Sequence, residues 1–200
     1  MADQRLQGRK VAVLATDGFE QVELTRPVEA LREAGAQVEV VAPHGGQIQG
    51  FNHHDKGQAV PVDRELSQAR PQDYDALVLP GGMINPDALR LVPQAIDFVR
   101  SFVDSDKLIA AICHGPWTLI NAGGVDGKRM TSWPSLQTDL KNAGANWVDE
   151  QVVVDRGLVT SRKPGDLPAF CAKMIEEIAE GSHAGRTRRG AGLGGEARPH

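Results

Sequence analysis

Two cysteines occur in the 200 residues, and one of them, Cys113, stands in AAICHGPWTL between an apolar run and His114-Gly115-Pro116. The run from Leu108 to Ile112 reads as a short buried strand. Gly115-Pro116 breaks it, and Trp117, Leu119 and Ile120 open a helix. A cysteine at such a sharp strand-to-helix turn has its thiol pushed out of the sheet toward a helix N-terminus. The partial positive charge there favours thiolate, below the free thiol's value of about 8.5. That is the chemistry of an elbow nucleophile. The same residue types also fit a small buried hydrophobe before a plain helix start, and spacing alone leaves both open.

Other groups join Cys113 only through the topology. Glu20 and Glu23 lie three apart at a helix start and share a face. Taken alone they complement the helix dipole; beside an elbow, a buried carboxyl stays protonated and donates to sulfur. Backbone N–H groups of the elbow and of Gly81-Gly82 are placed to form an oxyanion hole. Cys171 falls on an apolar stripe with Leu167, Phe170, Met174, Ile175 and Ile178, and is read as inert core. His53-His54-Asp55 lacks a second ligand group at usable spacing, so it is read as a solvated loop and no metal is assigned. APHGGQIQG has neither the dinucleotide-binding glycine spacing nor a phosphate-loop lysine, and no cofactor is expected.

The elements that must position these groups alternate. VAVLA is a strand, the segment from Glu20 a helix closed by Gly35, QVEVVAP and DALVLPGG are strands, and PQAIDFVRSFVDSD is a helix. LIAAIC, the helix PSLQTDLKNAG, a hairpin around Asp155-Arg156-Gly157 and the striped last helix follow. Such alternation predicts a mostly parallel sheet covered on both faces, with ligands at the carboxyl ends of the strands. Segment 44–70 interrupts the rhythm as a polar hairpin excursion.

The composition, 40% hydrophobic and 24% charged, is that of a water-soluble globular domain. No apolar run is long enough to span a membrane, and no secretory leader precedes the first strand, so a cytoplasmic location is expected. Residues 1–180 are read as one domain and 181–200 as a Gly/Arg-rich disordered tail. Arg186, Arg188, Arg189 and Arg198 of that tail outweigh Glu196, so the body is more acidic than the chain's net −4. An acidic body argues against nucleic acid as a partner.

With LATDGFEQVELTRP, LVLPGGMINPDALR, AAICHGPWTLINAG, TSWPSLQTDLKNAG and LVTSRKPGDLPAF in order, the sequence resembles the PfpI family, the protease and general-stress branch of the class I glutamine-amidotransferase-like superfamily. The resemblance covers roughly residues 8–180. It implies a flavodoxin-like three-layer α/β sandwich with a mostly parallel sheet and a nucleophile elbow. It also implies Cys113 as reactive thiolate, His114 as acid/base, Glu23 as the carboxyl bonded to sulfur, Glu20 as a second acid, and Gly82 and His114 as oxyanion-hole donors. In that family a neighbouring subunit completes the site; the matching residue here is Asp87, where a Glu is frequent, so a homodimer or higher oligomer is implied. The later histidines, His183 and His200, lie in the tail, so a glutaminase triad is not expected. The implied activity is that of a stress-response cysteine enzyme acting on dicarbonyls such as methylglyoxal, or on glycated proteins. A cysteine peptidase and an oxidation sensor are the alternatives.

Overall fold

The computed structural model describes residues 4–181. The chain runs β1 (Lys10–Leu14), β2 (Phe19–Glu20), α1 (Gln21–Glu33), β3 (Gln37–Ala42), β4 (Gln47–Asn52), β5 (Asp55–Pro61), β6 (Arg64–Glu65) and β7 (Ala76–Leu79). It continues α2 (Ile84–Arg90), α3 (Pro93–Asp104), β8 (Leu108–Ile112), α4 (Pro116–Ala122), β9 (Arg129–Met130) and α5 (Gln137–Asn142). The last elements are β10 (Asn146–Trp147), β11 (Val152–Asp155), β12 (Leu158–Ser161) and α6 (Leu167–Glu180). Apart from Gly181, the expected tail lies outside the described residues.

The seven-stranded sheet has the order β11-β12-β8-β7-β1-β3-β6, parallel except for β11 on β12. Its inner strands have the flavodoxin-like winding. Both faces are buried, which is why the inner strands read as continuous apolar runs. Val11, Val13 and Ala15 point into one core with Leu24, Leu31, Phe170 and Met174 of α1 and α6. Ala12 and Leu14 point into the other with Phe98, Val99, Phe102 and Leu119 of α3 and α4. Full burial of each large side chain contributes about 1.5–3 kcal/mol.

The winding reverses at β1, whose neighbours are β3 and β7. The loops leaving β1, β7 and β8 therefore meet at one end of the sheet. The excursion is a hairpin of β4 on β5, and β4 extends β2 beside that end. Gly18 N–H donates to the Gln49 carbonyl (2.8 Å) and Gln49 N–H to Asp17 Oδ1 (2.7 Å), tying the hairpin to the β1 loop. The predicted hairpin near Arg156 is β11–β12, with Arg156 at φ 46° and Gly157 at φ 77° in its two-residue turn. The helix expected from Pro134 begins instead with a 3₁₀ turn, Pro134–Leu136, before α5. Among the described residues no helix is long and apolar enough to cross a membrane.

Candidate active site

Cys113 follows β8 with φ 62°, a left-handed conformation that costs a non-glycine residue about 1–3 kcal/mol. The surroundings hold it there. Its N–H donates to the Ser161 carbonyl at 3.0 Å, and its carbonyl accepts the Trp133 N–H at 2.9 Å. Gly115 completes the elbow, since a Cβ there would stand 2.4 Å from the Leu79 carbonyl oxygen. α4 then starts at Pro116.

Glu23 reaches the elbow from α1. It is fully buried, and its Oε2 accepts the Gly81 N–H at 3.0 Å. Burial, above all, pushes its carboxyl up to about 8; the hydrogen bond with Cys113 pulls the other way, and the nearby charge of Glu20 adds to the rise. Glu23 is therefore protonated at neutral pH. Its Oε1 is buried with no hydrogen-bond partner, as suits the neutral, protonated carboxyl. Gly81 is the only residue type that fits beside the pair: a Cβ would lie 2.4 Å from Glu23 Oε2 and 2.7 Å from Cys113 Cβ. Asn85, buried in α2, joins the loops after β1 and β7 by accepting the Thr16 N–H (2.8 Å) and donating to the Pro80 and Gly81 carbonyls (3.1 Å each).

His114 Nδ1 lies 3.3 Å from Cys113 Sγ. Its ring stacks on Trp133 (centroids 5.9 Å apart, planes at 23°) and meets Trp117 edge-on at 5.4 Å. Burial lowers its basicity, so it is a neutral imidazole at pH 7. Backbone N–H groups of Gly82 and His114 face the sulfur and stabilise negative charge on it. The expectation of a thiol whose pKa is lowered by the helix end needs correcting. Burial dominates and pushes Cys113 well up from its usual range, and a Glu23 carboxylate would push further, against the pull of those N–H groups. A proton on Glu23 removes one of the charges that oppose a thiolate at Cys113.

Cys113, His114, Glu20, Glu23 and Gly82 line one cleft of about 130 Å³, together with His53, Met83, Trp133 and Pro164. A roomier cleft of about 600 Å³ between α1, β3 and β5 is lined by no cysteine or histidine. Four lining residues, His53, Met83, Trp133 and Pro164, escaped the sequence. Trp133 and Pro164 carry no chemical signal, and His53 was assigned to a solvated loop. Instead, His53 stands at the tip of the β4–β5 hairpin, over the cleft. Its backbone N–H donates to Glu20 Oε2 at 3.0 Å. Asp87 is exposed in the first turn of α2 and does not line the cleft within one chain. Cys171 is half-buried against the core rather than within it; burial raises its thiol to about 11. Among the described residues, no three or more His, Cys, Asp or Glu side chains gather as a metal site.

The family model for the DJ-1/PfpI family matches residues 9–177. The chain is 41% identical over 167 residues to Deglycase TK1284 of Thermococcus kodakarensis, covering 84% of this chain and 98% of that protein. It is 43% identical over 162 residues to the putative cysteine protease YraA of Bacillus subtilis, covering 81% and 94%. The crystal structure of Drosophila melanogaster DJ-1beta superposes with a TM-score of 0.77 at 33% identity, covering 86% of this chain and 90% of that one. Nucleophile elbow, buried carboxyl and sheet winding all lie within the matched span, and the chain belongs to the DJ-1/PfpI family.

Proposed function

We propose that this protein is a stress-response enzyme that uses Cys113 to attack reactive dicarbonyls such as methylglyoxal, or the adducts they leave on proteins. The observation that carries the proposal is the composition of the 130 Å³ cleft: a buried sulfur, a protonated carboxyl and a neutral imidazole in a space fit for a few-carbon substrate. The name of the 41%-identical relative, a deglycase, points to the same chemistry.

On methylglyoxal the electrons balance internally. Cys113 sulfur bonds the aldehyde carbon C1, and the former carbonyl oxygen takes a proton, giving a hemithioacetal. His114, neutral and beside the sulfur, removes the C1 proton; the electron pair forms C1=C2, and the C2 oxygen is protonated. The enediol takes a proton at C2 and loses one from the C1 oxygen, leaving a thioester. Water then breaks the carbon–sulfur bond to release lactate. C1 is oxidised as C2 is reduced. Gly82 and His114 N–H groups stabilise the oxyanion formed at C1 during each addition.

Peptide hydrolysis is the second candidate, favoured by the name of the relative YraA. It requires a groove that admits a chain on both sides of the scissile bond, for which the small cleft gives little room. The deciding experiment follows methylglyoxal loss and lactate formation by wild type, Cys113→Ser and Cys171→Ser. Turnover lost in the first variant and kept in the second is expected. Equal rates in wild type and Cys113→Ser would refute the proposal.

A further inference from the structure

His53 is unusual in two independent ways. It occupies the first central position of a two-residue hairpin turn, between the paired Asn52 and Asp55, with φ 58°. Glycine is favoured at such a position, and a histidine stores strain there. The turn is nonetheless held over the nucleophile, through the bond from the His53 N–H to Glu20 Oε2 (3.0 Å) and, farther down the hairpin, from the Gln58 N–H to Gln21 Oε1 (2.7 Å). His53 lines the cleft that holds Cys113, although it comes from a different sheet. His54, the next residue, does not line that cleft.

We propose that His53 is a substrate-binding residue, its imidazole contacting the second carbonyl oxygen of a small neutral α-oxoaldehyde while Cys113 engages the first. Glu20 is then a positioning residue that acts through the His53 backbone. The substrate class rests on the dicarbonyl chemistry above; the contact itself rests on the hairpin. His53 is tied to Glu20 through its backbone N–H, so a substitution that removes only the imidazole leaves that tie in place. Removal of the imidazole therefore weakens substrate binding without disturbing the elbow.

The test uses His53→Gly, which suits the turn, with His54→Ala as control. His53→Gly should melt no lower than wild type yet raise KM for methylglyoxal about tenfold, with a smaller change in kcat. His53→Asn, which tolerates the backbone and keeps an N–H donor, should recover most of the loss. His54→Ala should leave both constants unchanged. A second readout needs no turnover: in Cys113→Ala, the His53 ring resonances should move on titration with hydroxyacetone while those of His54 stay still. An unchanged KM in His53→Gly overturns the proposal. If wild type shows no dicarbonyl turnover, the enzymatic proposal fails separately, and a His53 resonance unmoved by hydroxyacetone then overturns this one.

Discussion

Glu23 and Gly81, 58 residues apart, are joined by a 3.0 Å hydrogen bond at the centre of the site. The bond fixes the carboxyl against the elbow, and it exists because Gly81 has no side chain. Gly81→Ala would force the Glu23 carboxyl or the Cys113 backbone to move. It is expected to lower stability by about 1–3 kcal/mol and to slow iodoacetamide labelling of Cys113. Denaturant melts and mass spectrometry read the two effects; wild-type behaviour in both would show that the site tolerates the extra methyl.

The raised carboxyl of Glu23 has a consequence for stability. Its value is 4.5 ordinarily and about 8 in the folded chain, so between these the native state binds a proton that the unfolded state has lost. Stability from this group is fully present below about pH 4.5 and is lost as pH rises through about 8. The slope approaches about 1.4 kcal/mol per pH unit. Glu23→Gln, neutral throughout, should flatten the fall in denaturation midpoint between pH 5 and 8. Parallel curves for the two proteins would remove Glu23 as its source.

Trp133 covers His114 and contributes to its burial. Trp133→Ala should let water reach the imidazole and move the acid limb of kcat/KM upward, toward the ordinary histidine value of 6.5. Loss of ring orientation should also lower kcat on the order of tenfold. Trp133→Phe, which preserves the stack, should restore both. An acid limb that does not move would mean that Trp133 does not control the His114 proton.

Asp87 faces solvent on α2 beside exposed Ile84 (53%), with Met83 (65%) and Leu91 (83%) flanking the helix. These apolar side chains suit burial against a second copy, and the family resemblance implies that such a copy would offer Asp87 to the neighbouring His114. Asp87→Ala and Cys113→Ser should each be inactive alone. Mixed and reassembled in equal amounts, they should recover about a quarter of wild-type activity, because half the dimers contain one complete site. No recovery, with mixed dimers demonstrated by mass, would place Asp87 outside the site.

Much of this architecture is local and therefore visible in the sequence. Residues Val11 to Leu14, Ala76 to Leu79 and Leu108 to Ile112 read as buried strands from their length and the turn signals that bound them, and the striped helix 167–180 and the Arg156-Gly157 turn follow from side-chain periodicity and backbone preference. Cys113 is marked by the Gly115-Pro116 breaker behind it, and Glu23 by its place at a helix start. What stayed hidden depends on contacts between distant segments. Burial reversed the expected direction of the Cys113 thiol, because desolvation outweighs the pull of the Gly82 and His114 N–H groups. Asn85 became a tie between the loops after β1 and β7, Trp133 a cover for His114, and His53, a loop residue by composition, a lining residue of the cleft. The sequence by itself determined which residues could do chemistry, because strand, turn and elbow are written in neighbours. Only the tertiary structure decided their protonation and their companions, because desolvation and approach arise from packing between segments far apart in the chain.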